Sequence, residues 1–169
     1  MNQSVVIKPF RFIDAHAFAK LRREVEAESD QLVVKGGERK ETAIHVIAKL
    51  LVSQRRTVTF IAYDRGAMIG YVNMVFPRYR RLQGNAYIAI IALKKKYRGQ
   101  GIGSQLMDVA EAYAKERGVR RVELEVFGEN THAREMYERR GYTTEGVKKE
   151  AVVTTTGFDD IIIMAKRLK

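Results

Sequence analysis

The chain has 169 residues, enough for one domain around a single core and too few for two, so residues 1–169 are read as one domain. Hydrophobic residues at 46% and charged residues at 30% exclude a disordered chain, and no apolar run approaches the roughly 20 residues of a membrane helix. The absence of cysteine removes disulfides, thiolate catalysis and Cys-ligated metals; His16, His45 and His132 lack metal-ligand spacing, so no metal is expected.

The net charge of +11 suits a polyanionic partner or simply solubility. Its lysines and arginines are spread along the chain. The clusters at 78–81 and 94–98 resemble neither a recognition helix nor an aromatic stacking platform, and nucleic acid is not expected as the main ligand. The first residues lack the basic flank and apolar stretch of a signal peptide, which points to a cytoplasmic protein without a membrane partner.

In chain order, residues 5–9 read as a short strand ended near Pro9. Asp14 can cap a helix in which Phe18, Leu21 and Val25 share a face. A polar stretch over 30–39 precedes a second predicted helix over 42–54. Strands over 57–63 and 67–76 flank Asp64-Arg65-Gly66, a hairpin signal, and Pro77 stops the second. After a basic loop over 78–85, the apolar run 87–93 suggests a strand covered on both faces. A helix over 103–117 follows, with Gly118 as its stop, then an alternating strand over 122–127. This strand–helix–strand order makes a parallel βαβ unit. Asn130 caps a last helix over 131–140, stopped by Gly141. A hairpin of 147–155 with 158–166 ends the chain. The predicted fold class is a mixed α/β (α+β) sheet of about seven strands flanked by about four helices.

The most informative segment is Arg98-Gly99-Gln100-Gly101-Ile102-Gly103-Ser104, where a strand turns into a helix. Glycines at alternate positions leave the backbone unshielded, so successive N–H groups can point into one small space. The free N–H groups and positive dipole end of the helix complete an anion site suited to a diphosphate. A structural tight turn would need the same glycines. A P-loop would require Gly-Lys-Ser/Thr, which is absent, and the dinucleotide fingerprint requires glycine where Ser104 stands.

From about Ile88 to Tyr142 the chain closely resembles the GNAT superfamily of acyl-CoA-dependent N-acetyltransferases. The family's Arg/Gln-x-x-Gly-x-Gly/Ala is matched by Arg98, Gly101 and Gly103. Its second signature is matched by Asn130, Ala133, Met136-Tyr137-Glu138 and Gly141-Tyr142. The resemblance implies acetyl-CoA as cosubstrate, with its pyrophosphate on the backbone amides of Gln100 to Ser104. It implies that Ile91, Ala92 and Leu93 pair with the pantetheine arm like an added strand, and that Asn130 bonds the cofactor. Helix capping alone would also account for Asn130.

The resemblance further makes Tyr137 the acid that protonates the departing thiolate, with packing against Ala133 and Met136 as the alternative reading. A backbone N–H near Leu93 would activate the carbonyl. The run 87–92 has no carboxylate to act as amine base, which leaves a water relay, Glu28 or Glu125, with solvated surface as the alternative reading of each carboxylate. The acceptor is expected to be a small-molecule or protein amine, its specificity set by 27–40 and by the loop 78–85. Arg78, Arg80 and Arg81 would then disfavour a polyamine and suit an acidic acceptor. A homodimer is the oligomeric state the resemblance suggests. Competing readings are a catalytically silent coenzyme A-binding or regulatory module, and a ribosome- or nucleic-acid-associated acetyltransferase.

Overall fold

The computed structural model describes residues 5–29 and 56–169. The second predicted helix, over 42–54, and the polar stretch over 30–39 lie outside the described residues. Seven strands form one sheet: β1 (Val6–Pro9), β2 (Thr57–Asp64), β3 (Ala67–Val75), β4 (Asn85–Leu93), β5 (Arg121–Phe127), β6 (Thr143–Val153) and β7 (Phe158–Arg167). Three α-helices are described: α1 (Ala15–Ala27), α2 (Ile102–Glu116) and α3 (Thr131–Arg139). The sheet order is β1-β2-β3-β4-β5-β7-β6, antiparallel throughout except for the parallel β4–β5 pair. The final strand thus inserts beside β5 and pushes β6 to the edge.

Local chemistry explains most of these elements. In the β2–β3 hairpin Asp64 pairs with Ala67, leaving the two-residue turn Arg65-Gly66, both at positive φ (47° and 82°). That backbone twist matches the flanking strands. Asp14 does sit at the N-cap of α1, but its side chain does not cap the helix. Its carboxylate instead accepts from Arg11 Nε at 3.1 Å, and a short 3₁₀ turn, Phe12–Asp14, leads the chain in.

Side chains of successive strand residues alternate between two cores. Phe60 and Ala62 belong to a large core with Leu106, Met107 and Ala110 of α2 and Tyr137 of α3. Ile61 points the other way, into a smaller core with Phe18, Leu21 and Val25 of α1. Helix α1 therefore covers one face, while α2 and α3 cover the other. Leu106 is fully buried, and truncating such a side chain to alanine costs about 2–5 kcal/mol.

Candidate active site

The site begins with a break in the sheet. Strand β4 pairs with β5 only from Asn85↔Arg121 to Ile88↔Leu124. On its other edge, Met74 faces Ile88 and Asn73 faces Ile90, so Ala89 is an extra residue, a bulge. A bulge bends the strand that carries it. Beyond it β4 keeps its partner β3 but, among the described residues, has no strand partner toward β5, which continues with β7. A wedge opens between Ile91–Leu93 and residues 125–127. Gly70 permits this path, because a Cβ there would collide with Leu93 Cδ2 and meet the Ala92 carbonyl oxygen at 2.6 Å.

The first βα junction, β4 to α2, closes one end of the wedge. Arg98 Nε donates to the Leu93 carbonyl at 3.0 Å and Gln100 Nε2 to the Lys96 carbonyl at 2.8 Å, which fold the turn on itself. Gly99 and Gly101 stand at φ 75° and 78°. The first bond of α2 runs from Gln105 N–H to Gly101 C=O at 3.1 Å. The N–H groups of Ile102, Gly103 and Ser104 consequently have no acceptor within the helix. No acidic residue in the first turn offsets the positive dipole end. The side chain of Ile102 is buried in the core and holds the helix start in place. Helix α1 braces the turn from outside: Lys94 Nζ lies 2.7 Å from Glu24, and the Lys95 N–H donates to Glu28 at 2.5 Å.

The second junction, β5 to α3, works through side chains. Asp159 on β7 accepts from the Glu129 N–H at 3.2 Å, and the Gly128 N–H donates to the Asp160 carbonyl at 2.9 Å, pinning this turn to β7. Asn130 Oδ1 accepts from the Ala133 N–H at 3.2 Å and caps α3. Its amide NH₂ remains a donor. Tyr137, about two helical turns further on, is only 4% exposed and packs against Tyr142 with ring centroids 5.8 Å apart. Burial, and secondarily Tyr87, pushes its phenol well above the ordinary tyrosine range, so it stays a proton donor.

These parts line one cleft of about 410 Å³. It contains Ile91, Ala92 and Leu93 from β4 and Arg98, Gly99, Gly101, Gly103 and Ser104 from the first junction. The second junction brings Asn130 and Tyr137. Gln100 and Ile102 can serve only through their backbone, since one side chain folds to Lys96 and the other enters the core. The cleft also takes in Ser29, His132, Ala133, Met136 and Arg139. The i, i+4, i+7 spacing of His132, Met136 and Arg139 is the sequence signal that marks them as one helix face. Among the described residues no group of three or more His, Asp or Glu could hold a metal.

The remaining residues singled out from the sequence lie outside the cleft lining. Glu28 is engaged by the Lys95 N–H. Glu125 pairs with Lys148 Nζ at 2.6 Å and is the first β5 residue past the last β4 pair. The loop over 78–85, with a 3₁₀ turn at Arg80–Leu82, enters β4 at Asn85. Eight residue steps, about 26 Å, separate that end from Leu93. Arg78, Arg80 and Arg81 are thus at the far end of β4 from the cleft, and the expected preference for an acidic acceptor has no support from its lining.

The cleft fits a long, diphosphate-bearing thioester. Its lining brings together the first N–H groups of α2, which have no acceptor within the helix, a β4 edge with no strand partner among the described residues, and Tyr137. The chain is similar to known acetyltransferases. N-alpha-acetyltransferase 30 of Schizosaccharomyces pombe is 33% identical over 96 residues, 57% of this chain and 64% of that protein. The [ribosomal protein bS18]-alanine N-acetyltransferase of Escherichia coli is 35% identical over 75 residues, 44% of this chain and 51% of that protein. The chain thus matches less than two thirds of the length of either relative. The crystal structure of a GNAT-family acetyltransferase from Streptococcus pneumoniae superposes with a TM-score of 0.90 at 24% identity, covering 98% of this chain and 100% of that one. Residues 22–142 match the Acetyltransferase (GNAT) family, and the chain belongs to it.

Proposed function

We propose that the protein transfers an acetyl group from acetyl-CoA to a primary amine, and that this amine is the α-amino group of a polypeptide. The observation that carries the reading is the convergence of the free α2 N–H groups, the unpaired edge of β4 and the buried Tyr137 on one cleft. The α-amine is favoured by the likeness to an N-alpha-acetyltransferase and to a ribosomal-protein alanine N-acetyltransferase.

Acetyl-CoA supplies the activated acetyl thioester. The N–H groups of Ile102 to Ser104 bind its diphosphate, and the edge Ile91–Leu93 orients the arm by backbone pairing. The amine nitrogen forms a bond to the acetyl carbon while the carbon–sulfur bond breaks. Tyr137 gives its hydroxyl proton to the departing sulfur. The proton the amine loses passes to a water or to Glu125, the first β5 residue past the last β4 pair, on the face opposite Leu124.

Thiol release from acetyl-CoA tests this with a panel of peptides bearing free or blocked N-termini, polyamines and small amino acids. Turnover is expected with free N-terminal peptides and not with the blocked ones. Turnover of polyamines alone would overturn the acceptor assignment. Tight acetyl-CoA binding with no turnover of any amine would favour a silent coenzyme A-binding module.

A further inference from the structure

The two junctions are joined by a buried polar cluster that takes no part in the steps of acetyl transfer. Glu111 of α2 is 9% exposed. Its carboxylate accepts from Arg140 Nε at 3.3 Å, from the Tyr142 hydroxyl at 3.2 Å and from Lys166 Nζ at 2.6 Å. A buried carboxylate with three donors is satisfied, and removing a charged one leaves it under-compensated. The Arg140 guanidinium reaches further along the same helix face. It donates to Asp108 at 2.7 Å and to the backbone carbonyl of Ser104 at 3.1 Å, spanning the first two turns of α2. Ser104 is itself part of the anion site.

The same two residues, Arg140 and Tyr142, hold Tyr137 from the other side. The carbonyl oxygen of Tyr137 accepts their N–H groups, each at 3.0 Å. The Tyr142 ring also packs on that of Tyr137. A continuous chain of contacts therefore runs from the Ser104 peptide through Arg140 to the backbone of Tyr137, with Glu111 and Tyr142 as its brace.

We infer that Arg140, seated on Glu111, is a positioning residue that fixes the Tyr137 hydroxyl relative to the diphosphate-binding turn. The inference rests on the acid role of Tyr137 proposed above. The diphosphate anchors one end of the acetyl donor and Tyr137 must meet the sulfur at the other, so the spacing between the two junctions sets the proton-transfer distance. A misplacement of about 1 Å in such a geometry costs about 10²-fold in rate.

A double-mutant cycle of Arg140→Met with Tyr137→Phe tests it. Thiol release from acetyl-CoA is measured with the peptide of the panel that turns over fastest, per acetyl-CoA site titrated in each variant. This normalisation removes any unfolded fraction. Arg140→Met is expected to lower kcat at least about tenfold with the acetyl-CoA KM within about threefold. Arg140→Lys, which keeps one donor, should fall between. In the Tyr137→Phe background the Arg140→Met change should have almost no further effect. An equal loss in both backgrounds would overturn the positioning role and leave Arg140 merely structural. If Tyr137→Phe is as fast as wild type, the acid role falls and the positioning role falls with it, an outcome distinct from additivity.

Discussion

The two successive βα junctions line one cleft by opposite means. At β4–α2 the cleft is lined by bare backbone, and the side chains either vanish, as at Gly99, Gly101 and Gly103, or turn away, as at Gln100 and Ile102. At β5–α3 the cleft is lined by the side chains of Asn130 and Tyr137, while the backbone is satisfied by the cap and by Asp159. A diphosphate needs many weak donors at fixed spacing, which a helix start supplies without side-chain entropy. A leaving thiolate needs one proton at one point, which a single side-chain hydroxyl can deliver. Substitutions at the first junction should therefore change affinity, and those at the second should change rate.

The largest expected effect tests the second half of that contrast. Tyr137→Phe keeps the ring against Tyr142 and removes only the hydroxyl. It should lower kcat by about 10²–10⁴ while the acetyl-CoA KM moves by less than about twofold, measured by steady-state thiol release. A rise in KM with kcat intact would place Tyr137 in binding instead. Gly101→Ala tests the first half. An alanine at this left-handed backbone position carries about 1–2 kcal/mol of strain although the space beside it is open. Acetyl-CoA affinity by titration calorimetry should weaken about tenfold, with kcat at saturation nearly unchanged.

Asn130 separates its two duties by substitution. Asn130→Ala should destabilise the fold by about 1 kcal/mol through the lost cap. Asn130→Asp retains the cap and loses the amide donor, so thermal unfolding should stay near wild type while the acetyl-CoA KM rises about fivefold. A normal KM in Asn130→Asp would leave Asn130 a cap alone. The pH profile sharpens the role of Tyr137. Its phenol is raised above the ordinary tyrosine range, so the protonated, donating form persists to higher pH than for a free tyrosine. The rate should climb as the acceptor amine deprotonates and show no descending limb through about pH 10. The smallest effect is Gln100→Ala, whose side chain points to Lys96; acetyl-CoA binding should change less than about twofold.

Those parts of the site that depend on near neighbours in the chain are legible in the sequence. The glycine spacing implies a helix-start anion site, Asp64-Arg65-Gly66 implies its hairpin, and Asn130 implies its cap, because each acts within a few residues. The bulge at Ala89 is not legible: an extra residue in β4 is defined only by the register of β3 opposite it. The insertion of β7 between β5 and β6 is equally hidden, since pairing partners are chosen by the whole sheet. Asp14 fits a cap by type, yet Arg11 competes for its carboxylate at 3.1 Å and wins. The contacts of Arg140 with Ser104, Asp108 and Glu111 cross 29 to 36 residues and follow no local spacing. The basic loop over 78–85 is legible as a loop but not as one sitting at the wrong end of β4, because that position follows from strand direction alone.

On the proposed function, the cleft between the two junctions holds acetyl-CoA and passes its acetyl group to an amine. Thiol release from acetyl-CoA, followed together with mass-spectrometric detection of the acetylated peptide, tests this most directly. Release is predicted to depend on a free amine, to give one thiol per acetylated peptide, and to collapse in Tyr137→Phe. Stabilisation by NAD but not by acetyl-CoA, with no amine-dependent thiol release, would contradict it.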